Sequence, residues 1–256
     1  MMNKLIKYEL KFTNRYLYPL CLTLLIFSLV SRIIVSISGK YKAIVSSLID
    51  MTYAIVIITF VVSTFLISIF IFYKSMATDE AYLTFALPLD IKKITFSKII
   101  SSVINNFISL ICVIFSIIIR FASNDSLKKL KSEMLKSIYE LSEMINVNII
   151  FIILFIFLLY IITLFLYNIF LQTSIAIGQS FVKNKILYSF ICGILIYMST
   201  MILLITEIIV VGLFIPEKSP SYYIIIPSVF MISMLAINVT LFKLMNYMFE
   251  NKLNLE

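Results

Sequence analysis

The stretch 51-MTYAIVIITFVVSTFLISIFIFY-73 holds no charged residue. As a helix it would rise about 35 Å, enough to cross a hydrocarbon layer about 30 Å thick. In lipid every backbone N–H and C=O must be satisfied within the protein, which leaves helices or a closed barrel. The stretch lacks the short alternation of a barrel strand, so it reads as a transmembrane helix. Five further blocks read the same way, at 16–37, 97–119, 149–171, 186–211 and 224–248. Apolar residues make up 62% of the 256, and the mean hydropathy is +1.09, far above a soluble composition. The expected fold is all-α: a polytopic membrane protein with six transmembrane helices, residues 1–256 forming one transmembrane domain.

C-terminal to this block lies the most polar-looking break in the first half, 75-SMATDEAYLTFALPLDIKKITFSK-98. Thr78 can cap a short helix whose favourable first turn holds Asp79 and Glu80. Tyr82, Leu83, Ala86 and Leu87 offer apolar contact, and Pro88 stops the helix. Asp90 can cap the next helix, with Lys92, Lys93 and Lys98 at headgroup level. The segment 78–88 therefore reads as a small rigid helix; the plain alternative is an ordinary interfacial loop.

N-terminal to the block, 38-SGKYKAIVSSLID-50 reads as a short connection punctuated by Gly39. The span 16–37 has Pro19 near its start and carries Arg32, which can snorkel toward the far surface. In 3-NKLIKYELKFTNR-15, Leu5, Tyr8 and Phe12 share a face, while Lys4, Lys7, Lys11 and Arg15 can reach headgroups. That pattern suits an interfacial helix over 3–15, with a disordered basic tail as the alternative.

Further along, Leu127, Leu130, Met134, Ile138, Leu141 and Ile145 recur at helical spacing. Lys129–Glu133 and Lys136–Glu140 are i,i+4 pairs. An amphipathic helix over 125–146 follows, lying on the outer leaflet or roofing a cavity between two copies. A polar return is expected at 172-QTSIAIGQSFVKNK-185. Pro216, Pro220 and Pro227, with Gly212, predict a break with short re-entrant helices before the sixth span.

Six spans put both termini on one side. That side receives twelve Lys and Arg and the other nine, five of which belong to the connection after the third span. The positive-inside bias places both ends and 75–98 in the cytosol, and the amphipathic helix outside.

The net charge of +8 does not point to nucleic acid, because the basic residues cluster beside apolar blocks, where anionic lipid attracts them. Cys21, Cys112 and Cys192 sit in separate spans and read as small buried hydrophobes. There is no histidine and no metal-binding motif. Glu207, within 201-MILLITEIIVVG-212, is costly in lipid. It could meet a cargo cation, pair with Arg32 or Arg120, support a break beside Gly212, or lie wet at the outer interface.

The segment 79-DEAYLTFALPLDIKKITFSKII-100 resembles the first cytosolic loop of ABC-2-type transporter permeases of the bacterial peptide- and antibiotic-exporter group. The resemblance is carried by Asp79-Glu80, Tyr82-Leu83, Leu87-Pro88 and Ser97-Lys98, with Ala81 where a glycine is common. It extends to 174-SIAIGQSFVKNK-185, the terminal Leu253-Asn254-Leu255-Glu256 and the placing of the six blocks. Within that group the chain is similar to membrane subunits of exporters of phenol-soluble modulins, which are short amphipathic cytolytic peptides.

The resemblance implies a homodimer of permeases paired with two copies of a cytosolic ABC ATPase in the bacterial inner membrane. It implies peptide cargo, contact with membrane lipids, no nucleic acid, and no cofactor on this chain. ATP and Mg would bind the partner, since no G-x-x-x-x-G-K-[ST] occurs here. A coupling helix over 78–88 would offer Asp79, Glu80, Tyr82, Leu83, Leu87 and Pro88 to the ATPase, with a second contact at Gln179, Lys183 and Lys185. Glu207 and Arg32 remain the intramembrane polar candidates. Two competing accounts are a peptide-sensing or immunity protein that transports nothing and a secondary carrier. Neither explains the capped loop, and a carrier would carry more buried ionisable residues or broken spans.

Overall fold

Six helices carry windows apolar enough to cross a membrane, with mean hydropathy from 2.2 to 3.3. The computed structural model describes residues 2–86, 88–121, 125–145, 147–214 and 222–252, and the side chains of all of these but 40, 42 and 125–130. In order the helices are α1 (Met2–Ile37), α2 (Lys42–Ala77), α3 (Glu80–Phe85), α4 (Ile91–Phe121), α5 (Asp125–Ile145), α6 (Ile149–Gly178), α7 (Lys185–Phe214) and α8 (Tyr222–Asn251). Each of the six expected spans lies inside one of α1, α2, α4, α6, α7 and α8. The most apolar window of α7 is only 6% buried by protein. A face of Ile, Leu and Phe that water would not tolerate is at home in lipid. The chain has a multi-pass membrane architecture.

Several boundaries differ from the sequence reading. Residues 3–15 and 16–37 run into one helix of 36 residues, so Pro19 is interior and removes a helical hydrogen bond rather than opening a span. The connection expected at 38–50 shrinks to Ser38 and one 3-10 turn, Gly39–Tyr41. Gly39 takes φ +43 there, which a side chain would strain. Residues 172–178, expected as a polar return, are the last two turns of α6. α7 runs unbroken through Gly193 and Gly212, and Pro227 lies inside α8, so the expected re-entrant helices do not occur among the described residues. Pro216 and Pro220 lie outside those residues.

The chain divides into two compact units. The first holds 1–71 and 100–133. Leu17, Cys21 and Leu24 of α1 pack with Phe60 of α2, flanked by Ile108, Cys112 and Val113 of α4. Cys21 and Cys112, read from sequence as separate small hydrophobes, meet with their sulfurs 2.9 Å apart. Further along the same helices is a polar knot. Arg120 is 3% exposed and its Nη2 lies 2.8 Å from Asp50 Oδ1. Tyr53 and Ser116 share a hydrogen bond through their hydroxyls, and Tyr53 stacks on Phe27.

The second unit holds 72–99 and 134–256. Here α6 packs against both α7 and α8. Near the turn that joins them, α6 and α7 meet through small residues spaced four apart on each helix, 174-SIAIG-178 against 189-SFICG-193. A Cβ on Gly178 would land on Ser189 Oγ and lie 2.6 Å from the Ser189 Cα and N. A Cβ on Gly193 would lie 3.4 Å from the Ser174 Cβ. Small residues let the two backbones approach, which is how helices associate where lipid supplies no hydrophobic drive between them. Residues 179–184 make the tight turn, with Asn184 at φ 53. Nearer the start of α6, Ile162 packs with Met234 of α8 and Leu204 of α7. Asn238 Nδ2 of α8 donates to the Ile162 carbonyl at 3.4 Å.

Helix α5 forms as its spacing predicts. Lys136 and Glu140 lie 3.9 Å apart, and Met134, Tyr139 and Met144 are exposed. The side chains of Leu127, Lys129 and Leu130 lie outside the described residues.

Candidate functional site

The end of α2, the short helix α3 and the start of α4 form one surface feature of the second unit. Its base is apolar. Phe72 and Met76 of α2, Ala81 of α3, Ile94 of α4, and Met245 and Phe249 of α8 are all buried, with Met76, Ala81 and Met245 at 0% exposure. Phe72 and Phe85 both set their rings against Phe249, with centroids 6.1 Å away in each case. Ala81 is fully enclosed, so a larger side chain there would have to displace its neighbours.

Polar bonds fix the feature in place. Lys74 Nζ lies 2.7 Å from Glu80 Oε1. The Thr84 hydroxyl donates to the Ser75 carbonyl at 2.9 Å, tying α3 back to α2. Lys98 Nζ donates to Ser75 Oγ at 2.8 Å. Thr95 Oγ1 donates to Asn246 Oδ1 of α8 at 2.7 Å, and Lys92 lies 3.7 Å from Glu250.

The expected cap is different from the real one. Thr78 points backward, its hydroxyl donating to the Lys74 carbonyl at 2.5 Å, and Asp79 occupies the cap position with no side-chain bond to the helix. Asp90 stands just before α4, and its carboxylate lies 2.7 Å from Lys93 Nζ. The bond from Lys93, and its charge, hold the Asp90 carboxyl below its ordinary value. Lys98, expected at headgroup level, is 5% exposed and turned into the protein toward Ser75.

Above this base, α3 shows Tyr82 at 55% and Leu83 at 75% exposure, beside the exposed Asp79 and Glu80. Pro88 is exposed too, and Leu87 lies outside the described residues. The second group of expected residues splits. Lys183 is exposed and Lys185 opens α7, but Gln179 is 1% exposed and neither side-chain amide atom finds a partner among the described residues. Its side chain is thus withheld from the surface Lys183 presents.

The intramembrane candidates also separate. Arg32 Nη1 donates to the Ile119 carbonyl at 3.4 Å, and Arg120 is engaged by Asp50. Glu207 Oε2 is buried without a partner among the described residues and lines a small cavity between α7 and α8 with Thr206 and Ser233. The helix is continuous beside Gly212, so Glu207 supports no break there.

Sequence reasoning found α8 as a span but missed its part in this feature. Asn246, Phe249 and Glu250 anchor the feature from more than 150 residues away, and only the polar spacing of Asn246 and Glu250 on an apolar helix hints at it. No protein-family model matches this chain, and no curated protein or solved structure does either.

Proposed function

We propose that this chain is the membrane-spanning subunit of an ATP-driven exporter of the ABC-2 type, moving amphipathic or hydrophobic peptides out of a bacterial cell. Two copies would pair with two cytosolic ATPase subunits, which bind ATP and Mg. Both termini and α3 would face the cytosol, and α5 would lie outside.

The observation that carries this reading is the build of α3. Two large apolar side chains, Tyr82 and Leu83, stand exposed on a base that is fully packed and tied by hydrogen bonds to α2 and by aromatic contact to α8. A flexible loop would absorb a push; this base passes it to the ends of two long helices. The acidic pair and the Tyr-Leu step also occur in the order the resemblance requires. Tyr82 and Leu83 would enter a groove on the ATPase, Glu80 and Asp79 would meet its basic or amide groups, and Lys183 with Lys185 would make the smaller second contact.

The test is co-purification with the ATPase encoded beside this chain, followed by ATP hydrolysis in lipid. Replacing Tyr82 and Leu83 by Ala should weaken assembly about 30-fold, the effect of losing an interface anchor worth about 2 kcal/mol. Membrane insertion should be unchanged. Full assembly and full turnover with both side chains truncated would remove α3 from the coupling role.

A further inference from the structure

Between α4, α6 and α8 the second unit holds a cavity of ≈ 740 Å³. Phe96 and Ile99 of α4, Phe165 and Ile169 of α6, and Val239 and Phe242 of α8 make its walls apolar. Lys92, Lys243 and Glu250 supply its charges. Glu250 lies 3.7 Å from Lys92, with both side chains well exposed, so the pair is loose and screened. Lys243 is exposed and forms no ion pair among the described residues.

Deeper on α8, about 7.5 Å below Lys243 at the helical rise, is Asn238. It is 7% exposed, lines the cavity, and its Oδ1 has no partner among the described residues. The cavity thus runs from a cationic rim along aromatic walls to a buried acceptor, on helices that pass through lipid.

We infer that this cavity holds an anionic phospholipid, with its phosphate at Lys92 and Lys243 and an acyl chain along Phe96, Phe165 and Phe242. Phosphate and ammonium attract at headgroup level, and the aromatic walls replace lipid around the chain. A water held beside the acyl chain satisfies Asn238 Oδ1. The excess of positive charge at the rim disfavours the other amphiphile that could enter, a cationic peptide.

The experiment is native mass spectrometry of the full chain in detergent, with phosphatidylglycerol and phosphatidylcholine of identical chains in competition. Phosphatidylglycerol should be retained preferentially, by about fivefold for each lysine that engages it. K92Q/K243Q should erase that preference, while the same loss of charge at K183Q/K185Q leaves it. V239W, which fills the cavity without changing charge, should lower retention of phosphatidylglycerol. It serves as the readout if the lysine variant does not fold.

Four results overturn the assignment: equal retention of both lipids by the wild type, a preference that survives K92Q/K243Q, a preference lost equally in K183Q/K185Q, or retention unaffected by V239W. Displacement by excess inorganic phosphate would show a free-anion site, and displacement by a cationic amphipathic peptide would show a peptide site; either also overturns it.

Discussion

The two units hold their helices together by opposite means. In the first, α1, α2 and α4 meet through large side chains and a buried cation. In the second, α6 and α7 meet, beside their connecting turn, where side chains are nearly absent. Lipid tails are as apolar as leucine, so apolar surface alone does not bring two membrane helices together. One solution is a polar bond strong enough to select its partner, as Arg120 does with Asp50. The other is a surface so flat that the backbones touch, as at Gly178 and Ser189. The first should suffer more from a change of charge than from a small change of volume. The second should behave in reverse.

The largest effect that would break this contrast lies at Gly178. A Cβ there meets Ser189 backbone, which cannot rotate away, so Gly178→Ala should part the two helices at a cost of about 3 kcal/mol. Gly193→Ala meets only the Ser174 side chain, its Cβ at 3.4 Å and its Oγ at 3.5 Å, and Gly212→Ala meets nothing within 4 Å, so both should be near neutral. Unfolding in mixed detergent measures the series. Equal effects at all three positions would show that close approach is not what joins α6 to α7.

Next in size is Asp50→Asn. Arg120 is 3% exposed and would lose its anion, while Asp50 is 46% exposed and shares its charge with solvent. The expected loss is about 2 kcal/mol, below that of a fully buried pair. The same unfolding assay reads it, and the conservative Asp50→Glu should restore part of it. A neutral Asp50→Asn would mean that Tyr53, Ser116 and the apolar core suffice.

The smallest effect sits away from both interfaces, at Asp90. Its carboxyl is held below the ordinary 3.8 by Lys93. A depressed folded value contributes stability above the unfolded value, and that contribution disappears as pH falls through the folded one. Wild type and Asp90→Asn should therefore differ slightly near neutral pH and converge in acid, in thermal unfolding followed against pH. A difference that grows in acid would reverse the sign and the assignment.

These contrasts also explain what could be read from the residues alone. Long uncharged runs such as 51–73 admit only one conformation in lipid, so the six helices were legible. The spacing of Met134, Ile138, Leu141 and Ile145 made α5 legible in the same way. Helix ends were not. Gln172, Thr173, Ser174 and Gln179 look like a watery return, yet all four are buried in or beside the α6 interface. Polarity in a membrane protein marks either water or another helix, and a single sequence does not separate the two. Lys98 misled for the same reason, since it found the Ser75 hydroxyl instead of the surface. The exposed half of the candidate site, Asp79, Glu80, Tyr82 and Leu83, was legible as an acidic pair beside an apolar step, although the cap expected from Thr78 does not form. Its foundation on α8 was not, because nothing near position 249 refers to position 85.

The sulfur contact between α1 and α4 has a consequence for anyone handling the protein. Cys21 and Cys112 stand 91 positions apart in the chain but within touching distance in space. An oxidant that joined them would weld two rods that otherwise meet through packing and the hydrogen bond from Arg32 to the Ile119 carbonyl. Preparations kept without reductant would then be mixtures of clamped and unclamped molecules.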